Sequence, residues 1–338
     1  HEDFEPDLTP VIEAGRSIAP YLTRGQLIVL ESTVNPGVSE DVLLPLLEKE
    51  SGLVAGVDFH LAHCPERINP GDPNWTVVNI PRVVGSLEEK GLEIALNFYR
   101  SVISAEVKPM SSLKEAEAVK IVENTFRDVN IAFVNELAMS FNKLGIDVLK
   151  VIEGASSKPF AFMPHFPGVG VGGHCIAVDP YYLIKYARQH GFEHRFLSLA
   201  REINNGMPLF TVNLLVEKMQ EKDLVLQGNK VALLGLAYKS DVGDDRESPS
   251  YKVIEHLKAL GVEVATYDPY VSGSTAASLE EALEGASAVI VATAHREFRT
   301  LSPETLSNKG VSIVIDGRNC LDKDAFLAST IAYQGIGR

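Results

Sequence analysis

Apolar positions along the chain follow two spacings that alternate with one another. A helical spacing runs from Thr9 to Tyr21. The continuous apolar run from Gln26 to Thr33, polar at its end, then reads as a buried strand that turns at Asn35-Pro-Gly37. A helix from Asp41 to Glu50, strands from Asp58 to His63 and Arg82 to Gly85, a helix from Leu87 to Tyr99 and a short strand from Ala105 to Lys108 continue the series. Such alternation predicts a parallel sheet covered on both faces. The texture changes at Ser112, where Ser112-Leu-Lys-Glu115 forms a capping box and a helical pattern free of Pro and Gly runs to Leu144 before Gly145. That is a rod of about 48 Å. A Gly/Pro-rich segment from Lys158 to Gly173 and further helices from Ile184 to Lys218 follow. Strands are expected again from Lys230 to Gly235, Val262 to Tyr267, Ala288 to Thr293 and Val311 to Asp316, with helices from Ser248 to Leu260 and Leu279 to Leu283. The fold expected is therefore α/β, with two parallel-sheet domains joined by a central helical region. In such sheets ligands bind at the carboxyl ends of the strands. This directs attention to Thr33, the residues after His63, Ala237 to Lys239, and Asp316 to Arg318.

Length and charge narrow the possibilities. The 338 residues suggest two domains or slightly more, and we divide them at 1–110, 111–218 and 219–338. A formal net charge of −14 argues against nucleic acid or an anionic membrane as partner, so any anionic ligand must be met by specific residues. The longest apolar runs fall short of the ~20 residues that span a bilayer, and no secretory apolar region opens the chain. Three widely spaced cysteines, Cys64, Cys175 and Cys320, do not form a disulfide framework and point to the cytosol.

The G-x-G-x-x-G match at Gly168-Val-Gly170-Val-Gly-Gly173 follows Pro164-His-Phe-Pro167 and runs into His174-Cys175, so it is no dinucleotide fingerprint, which must follow a strand and open a helix. It offers a backbone able to approach a ligand closely, or merely a mobile loop. Cys175 has a Gly-rich approach, an adjacent His and, in Asp179, a carboxylate four residues on. Helical geometry after Gly173 would put Cys175 and Asp179 on one face. A buried structural cysteine is the plainer alternative. The pairs His63-Cys64 and His174-Cys175 suggest zinc only weakly, because neither has a C-x-x-C companion; no metal is expected. On the long helix, Lys120, Asn124, Arg127 and Asp128 form a polar stripe among Val119, Ile121, Val122, Phe126 and Val129, as expected of a largely buried helix whose stripe faces a cavity. Lys239, Arg246 and Arg318 lie near strand ends and could form a phosphate clamp. Unrelated surface charges would look the same.

With these residues assembled, the chain resembles the nucleotide-sugar 6-dehydrogenase family over nearly its whole length. The matching segments are Glu31-Ser-Thr-Val34, Cys64-Pro-Glu-Arg67, Lys120 with Asn124, Gly168 to Cys175 with Asp179, Gly235-Leu-Ala-Tyr-Lys239, Gly243-Asp-Asp-Arg-Glu-Ser248 and Asp316-Gly-Arg318. The resemblance implies two Rossmann-like domains and oxidation of a sugar C6 alcohol to a carboxylate with two NAD, through a thiohemiacetal and a thioester on cysteine. Cys175 would be the nucleophile, Lys120 and Asn124 the oxyanion donors, and Asp179 and Glu66 the carboxylates that handle protons and water. Tyr238, Lys239 and Arg318 would hold the uridine diphosphate, with Arg67, Arg127 and Gly172 also on the substrate. Thr33 and Arg246 would contact the cofactor. A homodimer or higher homo-oligomer, a cytoplasmic location and a place in surface polysaccharide synthesis are further implications.

Two departures refine this. Val178 stands where the UDP-glucose enzymes typically carry Lys, and Arg127 fits the branch acting on UDP-N-acetylhexosamines. UDP-N-acetylmannosamine or UDP-N-acetylglucosamine is therefore expected before UDP-glucose. The family's N-terminal fingerprint, first βαβ unit and ribose-binding acid are not found in the chain, so the first domain is expected to be incomplete and this 338-residue chain to bind NAD poorly. A non-catalytic UDP-sugar binder and a zinc hydrolase are the rivals.

Overall fold

The computed structural model describes residues 7–69 and 74–338. They group into two compact units, one of residues up to Phe126 with Val178–His194, the other of Arg127–Ala177 with Arg195–Arg338. The boundary between the units falls within the long helix, which is unbroken and contributes to both.

The first unit opens with α1 (Thr9–Ile18), whose early Pro10 sits where a helix needs no N–H. β1 (Leu27–Leu30) follows, then a π-turn over Ser39–Leu43 that runs into α2 (Leu44–Ser51), closed by Gly52 at φ +71°. Next come β2 (His60–His63), β3 (Arg82–Ser86), α3 (Glu89–Val102), β4 (Val107–Pro109) and α4 (Leu113–Leu144). One half of the capping box at the start of α4 forms, Ser112 Oγ accepting from Glu115 N at 3.1 Å, while the Glu115 carboxylate reaches one residue further back and accepts from Ser111 N at 2.9 Å. The strands lie in the order β1-β2-β3-β4. Leu30, Phe59 and Leu61 pack with Leu43, Leu47 and Leu113; Ala62 and Val84 pack with Ala95, Leu96 and Tyr99. Alternate residues of β2 thus feed two different cores.

The expectation of a wholly parallel sheet fails at one pairing. β2 and β3 run antiparallel, with Ala62 opposite Ser86 and His63 opposite Gly85. A parallel partner requires a crossover, usually helical, and the described residues between His63 and Arg82 contain no helix.

The second unit holds the end of α4, α5 (Val148–Ser156), and, after α6 (Asp179–Gln189) of the first unit, α7 (Arg195–Glu221). β5 (Lys230–Leu234), α8 (Pro249–Ala259), β6 (Glu263–Tyr267), α9 (Leu279–Leu283) and β7 (Ala286–Val291) follow. α10 (Arg296–Arg299), α11 (Pro303–Ser307), β8 (Ile313–Asp316), α12 (Lys323–Leu327) and β9 (Ala332–Gly335) complete the chain. The five strands are all parallel in the order β6-β5-β7-β8-β9. Val231 and Leu233 of β5 pack on Met207, Val212 and Val253; Ala232 and Leu234 pack on Ala282, Phe298 and Leu306. Both faces are dry, which is why β5 reads as a continuous apolar run.

Strand order reverses at β5, so a crevice opens between the loops after β5 and β7. Gly235, at φ +99°, lets those loops meet: a Cβ there would stand 2.4 Å from Thr293 Cβ.

Candidate active site

In the second unit the glycine-rich segment is a buried strap rather than a mobile loop: residues 167–170, 172 and 173 are all buried. A Cβ on Gly172 would stand 2.7 Å from Tyr238 Cβ, and one on Gly173, at φ +87°, would stand 2.9 Å from the Tyr238 ring. Glycine at 172 and 173 therefore lets the backbone lie flat on Tyr238. Gly173 N also donates to Arg246 O at 3.1 Å. The strap delivers Cys175 into a turn, exposed, within electrostatic reach of Tyr238 and Arg246. The helical face expected to join Cys175 to Asp179 is not formed, because the turn spans residues 174–178 and α6 starts only at Asp179. Its early Pro180 fits the first turn of a helix but not the middle of one.

The other two thiols are poorly suited to nucleophilic attack. Burial pushes Cys64 up to about 11 and Cys320 up to about 12. Cys320 is half-buried. Cys175 alone among the three is exposed.

The loop after β5 is held by groups that sequence reasoning passed over. Asp268, just past β6, accepts from Leu236 N at 2.6 Å, Ala237 N at 2.8 Å and His295 Nε2 at 3.0 Å. Burial opposes its charge, but those bonds and one from Tyr270 outweigh burial and hold the carboxyl at about 2. His295 Nδ1 accepts from Asp241 N at 2.9 Å, and Thr293 Oγ1 donates to Ala237 O at 2.5 Å. Tyr238 and Lys239 therefore project from a clamped loop, each half-buried. After β8, Asp316 accepts from Arg318 N at 3.2 Å and Leu321 N at 2.8 Å, shaping the turn that carries Arg318. Arg318 Nε donates to Ala292 O at 2.8 Å, at the end of β7. Arg246 is exposed and pairs with Asp244 at 2.7 Å.

In the first unit, Asn124 Nδ2 donates to Asp179 Oδ2 at 2.6 Å, and both side chains are buried. Burial raises the Asp179 carboxyl to about 6, against the opposing influence of the Asn124 bond and the Lys120 charge. A carboxyl poised there can exchange protons near neutrality. Glu66 is differently placed. It pairs with Arg82 at 3.0 Å and accepts from Arg67 N and Ile68 N at 2.6 and 2.7 Å. Burial works against its charge, yet these partners prevail and keep it below the usual carboxylate range. Arg67 is engaged by Glu123 at 2.5 Å and by Pro81 O at 2.9 Å.

The stripe expected on α4 is not one face. Asn124 and Asp128 are buried, Lys120 is half-buried and Arg127 is exposed. Val122 and Phe126, expected inside, are 55% and 49% exposed. These two lie four residues apart and share a side of the helix. α4 is thus not buried all round.

Thr33 is half-exposed just past β1, beside exposed Ser32. Their hydroxyls fit polar contacts to a dinucleotide at a strand's carboxyl end. The backbone donors that follow are not free for its pyrophosphate: Glu117 accepts from Gly37 N at 2.5 Å and Ser39 N at 2.8 Å. A separate cavity of 140 Å³ between α1 and β1 is lined mainly by apolar residues, including Val11, Ile28 and Leu43, and contains none of the expected site residues. Among the described residues, no three His, Cys, Asp or Glu side chains come together as metal ligands. No helix among them is long and apolar enough to cross a membrane.

Models of the UDP-glucose/GDP-mannose dehydrogenase family match the chain in three parts: NAD binding domain over 1–103, central domain over 114–206 and UDP binding domain over 232–323. The chain is 40% identical to a UDP-N-acetyl-D-mannosamine dehydrogenase of Pyrococcus horikoshii, over 99% of its own length and 78% of the relative's. It is 38% identical to a UDP-N-acetyl-D-glucosamine 6-dehydrogenase of Pseudomonas aeruginosa, over 96% and 78%. The solved structure of the Pyrococcus horikoshii UDP-D-ManNAc dehydrogenase superposes with a TM-score of 0.93 at 39% identity, covering 99% of this chain and 78% of that one.

Proposed function

From its membership of the UDP-glucose/GDP-mannose dehydrogenase family, to which this chain belongs, we infer an NAD-dependent four-electron oxidation of a UDP-N-acetylhexosamine at C6 to the uronic acid. NAD supplies the hydride acceptor, used twice per sugar. Thr33 and Arg246 are the residues of this chain assigned to hold it.

The chain's own groups account for the rest. Loss of a hydride and a proton turns the C6 alcohol into an aldehyde. The Cys175 sulfur then bonds to the aldehyde carbon, giving a thiohemiacetal. Loss of a second hydride and of the hydroxyl proton leaves a thioester, and water cleaves it, releasing the carboxylate and returning the thiol. Lys120 and Asn124 donate to the oxygen that carries developing charge, a task for fixed donors in a site shielded from water. Asp179 moves the protons, the role its raised pKa suits. Glu66, held ionised by Arg82, suits electrostatic support better than proton exchange. Arg67, committed to Glu123, is assigned to shaping the substrate site, and Arg127 and Gly172 to the sugar side of it.

The observation that carries this reading is the exposure of Cys175, delivered by a glycine strap that rests on Tyr238 while the other two thiols are pushed up by burial. Tyr238, Lys239 and Arg318 are assigned to the uridine diphosphate. Replacing Lys239 or Arg318 with Ala is expected to weaken UDP binding about tenfold or more in calorimetry, since each removes a charge-assisted phosphate contact; unchanged affinity would move the nucleotide elsewhere. Substrate choice is tested by comparing UDP-N-acetylmannosamine, UDP-N-acetylglucosamine and UDP-glucose. We expect kcat/KM for one N-acetyl sugar to exceed that for UDP-glucose by roughly tenfold or more. Preference for UDP-glucose would overturn the assignment to the hexosamine branch. Homo-oligomeric assembly and a cytoplasmic location remain part of the proposal.

A further inference from the structure

Beneath the strap lies a run of buried polar side chains that no step above uses. Asp128 Oδ1 accepts from Arg201 Nη1 at 2.5 Å and from Asn204 Nδ2 at 2.8 Å. Asn204 Oδ1 accepts from Asn135 Nδ2 at 2.9 Å, and Asn135 Oδ1 accepts from Gly168 N at 3.0 Å. Asp128, Asn135, Arg201 and Asn204 are each 4% exposed or less.

The order of donors along this run is fixed at both ends, by the Gly168 N–H and by the acceptors of Asp128. Asp128 offers Asn204 Nδ2 two acceptors, its Oδ1 at 2.8 Å and its backbone O at 3.0 Å, so Asn204 turns its NH2 toward Asp128 and its oxygen toward Asn135. Asn135 must then turn its own oxygen toward the strap. Burial raises the Asp128 carboxyl, and the Arg201 charge and the bonds from Arg201 and Asn204 work against that rise. Apolar side chains of similar size would stabilise the helix pair at least as well. What they could not do is hold one backbone N–H in place.

That N–H belongs to Gly168, which lies on the Arg318 guanidinium: a Cβ at 168 would stand 2.6 Å from Arg318 Nη1. Val169 sits over Gly317, where a Cβ would meet Val169 Cγ1 at 2.4 Å. The same strap continues over Tyr238 at Gly172 and Gly173 and ends two residues later at Cys175. One segment therefore touches two of the three side chains assigned to the nucleotide and carries the thiol.

We propose that Asn135, oriented through Asn204 by the Asp128–Arg201 pair, is a positioning residue that couples diphosphate engagement at Arg318 to placement of the Cys175 thiol. The coupling rests on the assignment of Arg318 and Tyr238 to UDP, which calorimetry with UDP tests separately. The experiment measures iodoacetamide alkylation of the Cys175 peptide by mass spectrometry, with and without saturating UDP, in the whole 338-residue chain. In the unaltered protein UDP is expected to slow alkylation at least fivefold. In Asn135→Ala, UDP should bind within threefold of its normal affinity yet change the alkylation rate less than 1.5-fold. Steady-state kcat should fall at least tenfold, with KM for the UDP-sugar within threefold. Asp128→Asn, which preserves size but removes the charge paired with Arg201 and so loosens the hold on Asn204, should show the same loss of UDP-dependent protection in milder form; it decides the matter should Asn135→Ala not fold. If both variants keep the full protection, UDP merely shields the thiol directly and the coupling is wrong. The coupling is equally refuted if UDP binds the unaltered protein without changing alkylation. Failure of UDP to bind at all would instead overturn the assignment of Arg318, and the coupling with it.

Discussion

Replacing Cys175 with Ala is expected to lower production of the uronic acid by roughly 10³-fold or more, the scale seen when a covalent nucleophile is removed, while UDP binding stays within threefold. The separation is the informative part. Tyr238, Lys239 and Arg318 sit on loops clamped by Asp268, Thr293, Asp316 and the end of β7, none of which involves the thiol. Oxidation of the alcohol to the aldehyde needs no sulfur, so any residual turnover should yield no more than one NADH per sugar. Cys64→Ala and Cys320→Ser, by contrast, should leave the two-NADH stoichiometry intact.

Asp179→Asn should cost roughly 10²–10³-fold in kcat, the scale of a lost general acid–base group, and should alter the pH profile. With the Asp179 carboxyl raised to about 6, chiefly by burial, and the carboxylate the working form, unaltered activity should fall as pH drops through about 6. That limb should vanish in Asp179→Asn. Stability gives an independent check of sign. The folded value lies above the unfolded reference of 3.8, so the folded chain holds this proton more tightly. The stability so contributed is fully present below 3.8 and is lost as pH rises through about 6. At pH 7 to 8, Asp179→Asn removes a buried charge and keeps an acceptor for Asn124. Its Tm should therefore not fall. A drop of several degrees together with the lost activity would mark Asp179 as structural.

The parts of the molecule that could be read in advance are those set by local chemistry. The capping box at Ser112 and the stop at Gly145 bracket α4, whose end at Leu144 matches the pattern. Ser248 before Pro249 starts α8, and the apolar run of β5 marks a strand buried on both faces. Tyr238 and Lys239 lie just past β5 and Arg318 just past β8, at the carboxyl ends of parallel strands to which the pattern pointed. What escaped was set by partners distant in sequence. Asn135 bonds Gly168 across 33 residues and Asn204 across 69, and nothing near Asn135 signals either. Glu66 and Arg67 read as available charges until Arg82 and Glu123 claimed them. β9, Ala-Tyr-Gln-Gly, lacks the apolar run of a central strand because it lies at the end of its sheet. The reversal between β2 and β3 is set by how the long connection between them closes, which no local pattern reveals.

The most direct test of the covalent scheme is to quench the enzyme in acid during turnover of the UDP-N-acetylhexosamine and weigh its peptides. The peptide containing Cys175 should carry the mass of the bound acyl sugar nucleotide, and the adduct should be absent from Cys175→Ala. Release of two NADH per sugar at an undiminished rate from Cys175→Ala would contradict the account.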